Sequence, residues 1–236
     1  ISRGLVGSEM CIRDSVIGDS LGRITPHGTE YLVKLIKKWT NKPIHLHPHN
    51  TTSLAVANSL TGVLSGLSVV HTTINGLGEF SGLAATEEFA AAIDMHSKIS
   101  LGLNYSKLHE ASNLVSKITG IKTPPFKPIT GKSALAIPET EETQEFMYNL
   151  NLENKIDEGM PIPPHLIGKN VKFSIGKKCN EFTVLYNLKE CGYEISNNEA
   201  KFIAKEVRRR LSKRNKYCLI TQNDLVSIYL KIRDKL

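Results

Sequence analysis

Apolar and polar positions along residues 16–100 fall into blocks that switch between a strand period and a helical period. Val16-Ile17-Gly18-Asp19-Ser20-Leu21-Gly22 is a short apolar run that breaks into small and polar residues, as a buried parallel strand does where it meets its loop. Thr25-Pro26 then opens a helix reaching Thr40, with Leu32, Leu35, Ile36 and Trp39 as its apolar stripe and Lys34, Lys37 and Lys38 elsewhere on its surface. Pro43 to Asn50 reads as a second strand, and Ser53 to about Ser65 as a second helix whose small residues allow close packing on a sheet. A third strand, Ser68 to Asn75, runs into Gly76-Leu77-Gly78-Glu79, and a helix from about Ala84 to His96 follows with Glu87 and Glu88 near its positive end. Strands alternating with helices predict an α/β fold with a parallel sheet.

Beyond residue 100 the pattern changes. Residues 139–158 are acidic and poor in large apolar side chains, which reads as an exposed linker or weak helix. Val171 to Lys177 alternates like a strand. Phe182, Leu185, Leu188 and Cys191 are spaced as a helical face closed by Gly192. Ser196-x-x-Glu199 is a capping box for a helix bearing Phe202, Ile203, Val207 and Leu211, and Thr221-x-x-Asp224 starts the last helix.

The 236 residues are 40% hydrophobic and 22% charged, ordinary for a globular chain with one or two domains, and no apolar run reaches the ~18 residues a bilayer requires. The net charge of +7 is unevenly spread: residues 161–236 carry 16 basic and 7 acidic side chains, which suggests a boundary near Gly159 to Pro164. The basic run Arg208-Arg209-Arg210 to Lys213, Arg214 and Lys216 reads as a solvated helix end rather than a nucleic-acid patch. Cys11, Cys179, Cys191 and Cys218 form no C-x-x-C pair and read as reduced intracellular thiols, consistent with a cytoplasmic protein. Residues 1–15 show no periodicity and look like a translated sequencing-adapter peptide, so they are left out of the fold and organelle targeting is not assessable.

Candidate chemistry concentrates in Pro43-Ile44-His45-Leu46-His47-Pro48-His49-Asn50. In a strand, His45, His47 and His49 share one face, because side chains alternate with period two. His47 and His49 come last, at the carboxyl end where ligands gather in α/β folds, and are candidate nitrogen ligands for a divalent metal. His45 lies one layer deeper and reads as packing. Asn75, ending the third strand, is a candidate oxygen ligand, although an Asn before Gly is also a common turn former. Such mixed ligation suits Zn²⁺, Mn²⁺ or Mg²⁺ without choosing among them.

Three motifs carry a family resemblance. Asp19-Ser20-Leu21-Gly22 with Thr25-Pro26, His47-Pro48-His49-Asn50 with Ala55-Val56-Ala57-Asn58, and Thr73-Ile74-Asn75-Gly76-Leu77-Gly78-Glu79 resemble the last three β-α units of the pyruvate carboxyltransferase, or HMG-CoA lyase-like, family. That family includes 2-isopropylmalate, homocitrate and citramalate synthases. The resemblance implies the C-terminal part, strands 6 to 8, of a TIM (β/α)₈ barrel over residues 16–100. Leu108 to Ile121 and Pro124 to Gly131 resemble the synthases' helical post-barrel subdomain, residues 101–138. An acidic linker (139–160) and a small basic α+β subdomain (161–236) would follow. Lyases of the family carry a Gly-Gly-Cys loop where this chain has Gly78-Glu79, which favours a synthase over HMG-CoA lyase-type cleavage.

The resemblance implies an acyltransferase that condenses acetyl-CoA, its co-substrate, with a 2-oxo acid and releases CoA. It implies metal ligands at His47, His49 and Asn75, a substrate-carboxylate contact at Ser20, and a catalytic carboxylate at Glu79. A homodimer is expected of the full-length protein, with small-molecule substrates and neither membrane nor nucleic acid as partners. The family's first metal-ligand Asp lies upstream of Val16. Its Gly-Glu-Arg-x-Gly-Asn reads Gly78-Glu79-Phe80-Ser81-Gly82-Leu83, and the synthases' His-x-Ser-Gly-Ile-His becomes Ile137 to Glu142, so that Glu142 stands where a catalytic histidine is expected. A carboxylate can act as a base but lacks the donor and acceptor pair of a neutral imidazole. The alternative is therefore a catalytically impaired paralogue acting as a binding or oligomerising subunit. Three β-α units cannot close a barrel and would leave an open sheet edge.

Overall fold

A computed structural model describes residues 14–137, 140–213 and 219–233. The chain divides into two compact units, Ile1–Lys132 and Ser133–Leu236, rather than near residue 160, because α5 (Glu141–Leu152) joins the second unit's core.

In the first unit, β1 (Ser15–Asp19), β2 (Ile44–Pro48) and β3 (Val69–Val70) form a parallel sheet in that order, with α1 (Pro26–Lys37) and α2 (Ala55–Leu64) as crossovers. Ser15, inside the stretch set aside from the sequence, opens β1: its N–H donates to Pro43 O at 2.9 Å and it pairs with Ile44. Residues 1–13, with Cys11, lie outside the described residues. The period-two pattern of β2 divides its faces: Ile44 and Leu46 are buried with Val33 of α1 and Leu67, whereas His45 and His47 lie half-buried on the other side.

Helix α1 starts where expected, with the Thr25 hydroxyl accepting from Gly28 N–H. Its buried face is rotated towards Thr29 and Val33, and Trp39, expected in the stripe, is 74% exposed because the helix has ended at Lys37. The third strand is far shorter than expected. After Val70, the extended chain at Thr73 pairs with Ala85, and Ile74–Gly76 curls into a 3₁₀ turn with Asn75 in the left-handed region at φ 64°. Helices α3 (Thr86–His96) and α4 (Leu108–Thr119) follow.

In the second unit, β4 (Ala136–Ile137) and β5 (Lys172–Phe173) pair in parallel, with α6 (Glu181–Glu190), α7 (Asn197–Ser212) and α8 (Gln222–Ile232) around them. Of the two readings of residues 139–158, exposed linker or weak helix, the helix is present as α5, and it is less exposed than expected: Gln144 and Met147 are buried, Met147 beside Ile137, Phe173 and Tyr186. The strand expected over 171–177 contracts to two residues, after which Ile175 bridges Ile220. Both capping boxes, Ser196 with Glu199 and Thr221 with Asp224, are present. Ile203, Val207 and Leu211 of α7 are buried as expected, while Phe202 is 47% exposed. Cys179 and Cys191 are thiols; Cys218 lies outside the described residues. Glu206 accepts hydrogen bonds from Arg209 and Arg210, which ties part of the basic run into α7 itself. No described helix is long and apolar enough to cross a membrane.

Candidate metal and substrate site

The carboxyl ends of β1 and β2 converge through two loops. The Asp19 carboxylate accepts from Arg23 N–H and Ile24 N–H and so folds the loop after β1 back on itself. Gly22 lies at φ 60°, and a Cβ there would stand 2.8 Å from His49 O, so only glycine lets this loop pack against His49 to Thr51. Thr52 Oγ1 donates to Gly22 O at 3.1 Å and closes the contact. Ser20 is exposed on the first of these loops.

The histidines form one cluster. His47 and His49 have ring centroids 5.3 Å apart, and His47 lies equally close to His71. His71 has no place in the sequence reading of the site. It arrives there because β3 pairs with β2 in the register His45 to Val69 and Leu46 to Val70, which one further step sets opposite His47. Its parity with Thr73 and Asn75 was visible, but that register was not. The His47 and His71 Nδ1 atoms are 3.1 Å apart, so one imidazole must donate and the other accept, which leaves Nε2 as the outward nitrogen of His47. Burial, then the neighbouring His71 and His49, pushes the His47 pKa down, against a smaller upward pull from Glu79. The charged form of His47 is therefore disfavoured, and a metal ligand must be neutral. His45 sits 5.7 Å from the His71 ring, with its Nε2 3.5 Å from the Asp14 carboxylate.

His49 is 6% exposed, and its Nδ1 is buried without a hydrogen-bond partner. Phe80, at φ 52°, sets its ring 5.6 Å from His49 across the loop that carries Glu79, which is exposed. Asn75 is turned to α4: its Nδ2 donates to Ser112 O at 3.0 Å, its Oδ1 accepts from the Ser112 hydroxyl at 2.5 Å, and its N–H donates to the buried Glu87 carboxylate at 3.1 Å. Those recorded bonds link it to α3 and α4 and not to the histidines. Among the described residues, no group of three or more His, Cys, Asp and Glu side chains forms a complete metal cage. Ser20, His47, His49, Asn75 and Glu79 all belong to the first unit, and Glu142 lies in the second, exposed at the start of α5.

Residues 9–115 match the HMGL-like family. The chain is 35% identical over 194 residues to a probable 2-isopropylmalate synthase of Ignicoccus hospitalis, covering 82% of this chain and 47% of that protein. It is 32% identical to a homocitrate synthase of Methanothermobacter thermautotrophicus, covering 84% of this chain and 49% of the relative. It is 36% identical to a 2-isopropylmalate synthase of Methanocaldococcus jannaschii, covering 83% and 36% respectively. The chain thus spans about half the length, or less, of these relatives.

Proposed function

Because residues 9–115 belong to the HMGL-like family, we propose that the chain is part of a divalent-metal-dependent acyltransferase that joins acetyl-CoA to a 2-oxo acid and releases CoA. Its three parallel β-α units are read as strands six to eight of the barrel, with α4 opening the post-barrel subdomain. Three relatives named as synthases support this kind of reaction.

The observation that carries the reading is the buried, unpartnered Nδ1 of His49 beside a His47 whose protonation is disfavoured. A nitrogen left without an acceptor or donor in a buried site fits a missing cation. His47 and His49 would hold the ion, with Asn75 supplying oxygen through the lone pair its bond to Ser112 leaves over. When bound, a divalent ion acts as a Lewis acid on a 2-oxo acid's carbonyl.

This chain's own residues do the rest. His71 holds the His47 ring and its tautomer, as outer partners of ligating histidines do. The Ser20 hydroxyl, exposed on the loop beside His49, would donate to the substrate carboxylate. Phe80 shields one face of His49 from water. Glu79 is the carboxylate of this unit assigned to proton transfer. The complete protein is read as a cytoplasmic homodimer.

The test is release of free CoA thiol by the protein expressed from its complete transcript, with Mn²⁺, Zn²⁺ or Mg²⁺, acetyl-CoA and a panel of 2-oxo acids. Turnover that requires both metal and one acid, and falls to background in His49→Ala, is the expected result. Absence of thiol release with every acid would end the reading and leave the impaired paralogue.

A further inference from the structure

The second unit carries a cavity of about 500 Å³ at the start of α6, which the proposed reaction does not use as an anion site. The segment Gly176-Lys177-Lys178-Cys179-Asn180 runs into that helix, and Asn180 caps it. The Asn180 Oδ1 accepts from Thr183 N–H at 3.1 Å and from the Thr183 hydroxyl at 3.2 Å. A backbone N–H can only donate, so this pair of bonds establishes which end of the amide is oxygen. Nδ2 is consequently turned away from the helix. It is buried and has no partner, and Asn180, only 4% exposed, is one of the residues that line the cavity. An orphaned amide donor in such a place is uncommon and marks a missing acceptor.

The other lining groups favour a negative acceptor. The first turn of α6 presents the positive end of a ten-residue helix. Among the described residues, Lys177, Lys178 and Arg208 line the same cavity beside the carboxylates of Glu142 and Glu181. Arg208 is held at the turn by its bond from Nη1 to Cys179 O at 2.5 Å, the carbonyl immediately before Asn180. We propose that this cavity binds a phosphate-type oxyanion, recognised by Asn180 Nδ2, the α6 N-terminus and the surrounding cations. Phosphate suits the site better than carboxylate because its additional oxygens can meet several donors and several cations at once. The volume leaves room for the organic part of a phosphate ester.

The proposal does not depend on the acyltransferase reading, and its test gives a readout without turnover. Calorimetric titration of the intact chain with inorganic phosphate, against sodium chloride at matched ionic strength, should show saturable binding. Asn180→Asp keeps the cap, since a carboxylate oxygen accepts the same bonds from Thr183, but it replaces the inward donor with negative charge. Phosphate affinity should fall at least tenfold while the thermal midpoint without phosphate is maintained. Lys178→Gln, which leaves the cap untouched, should weaken binding as well. Competition by coenzyme A but not by its 3′-dephospho form would support the proposal with the coenzyme as source of the anion; competition by neither would support it with a smaller phosphate species. No saturable binding, or wild-type affinity in Asn180→Asp, would overturn it.

Discussion

Glu87 is 0% exposed, and it links pieces of chain that no local pattern joins. One oxygen accepts from Asn75 N–H; the other lies 3.4 Å from Lys127 Nζ, which also pairs with Glu88. Removing Glu87 leaves the part-buried Asn75 N–H without its acceptor, a loss of about 1–3 kcal/mol, while Lys127 keeps Glu88; a part-exposed ion pair contributes only ~0–1 kcal/mol. Glu87→Ala should therefore lower unfolding free energy in urea by about 2 kcal/mol, and Glu88→Ala by under about 1 kcal/mol. Equal losses would show that the Asn75 N–H does not depend on the deeper carboxylate. Gly82 is as sharply constrained: it lies at φ 85°, and a Cβ would fall 1.8 Å from Gly76 O. Gly82→Ala should cost more than the ~1 kcal/mol of a left-handed alanine alone, and should free the His49 loop, whose Asn50 N–H donates to Gly82 O. Unchanged stability would contradict this. The identity of Gly82 is plain in the sequence, but the carbonyl that excludes a side chain there is visible only once the loop is folded.

Helix ends were the most legible elements, because capping is decided within about four residues. Thr25, Ser196 and Thr221 cap as their spacing foretold. Ser196→Ala should cost about 1 kcal/mol, measured by chemical denaturation, since it unpairs the Glu199 N–H. Within α7, hydrogen bonds from Arg209 and then Arg210 pull Glu206 down to about 2. A depressed carboxylate contributes stability that is complete above the ordinary glutamate value of ~4.3 and is lost as pH falls towards the folded value. Helicity followed on acidification should thus decline between about pH 4.3 and 2, and Glu206→Gln should flatten that decline. An unchanged profile would remove Glu206 from the acid response. Elements whose limits depend on distant partners were misread. The third strand stops early because Asn75 is drawn to Ser112 of α4, and α5, a helix as one of its two readings had it, is less exposed than expected because its Gln144 and Met147 are buried.

At the scale of the molecule, the three-stranded sheet leaves the outer edges of β1 and β3 unpaired among the described residues, with Val16 55% and Val69 39% exposed. Unpaired apolar edges template association, and a lysine on an edge strand suppresses it. The isolated chain should scatter light increasingly with concentration, and Val69→Lys should reduce that without lowering the thermal midpoint; identical scattering would rule out this edge as the cause. The β-α alternation, the helix caps and the pairing of His47 with His49 at a strand's end were legible in the order of residues, because each follows from contacts between near neighbours and from the period of the backbone. Folding in three dimensions was needed to bring His71 to His47, to tie Glu87 to Asn75, and to leave Asn180 with an unanswered donor beside a basic cavity. These depend on strand register and on contacts across 12 to 41 residues for Asn75 and 24 for the histidines, distances at which side-chain periodicity carries no information about who becomes a neighbour.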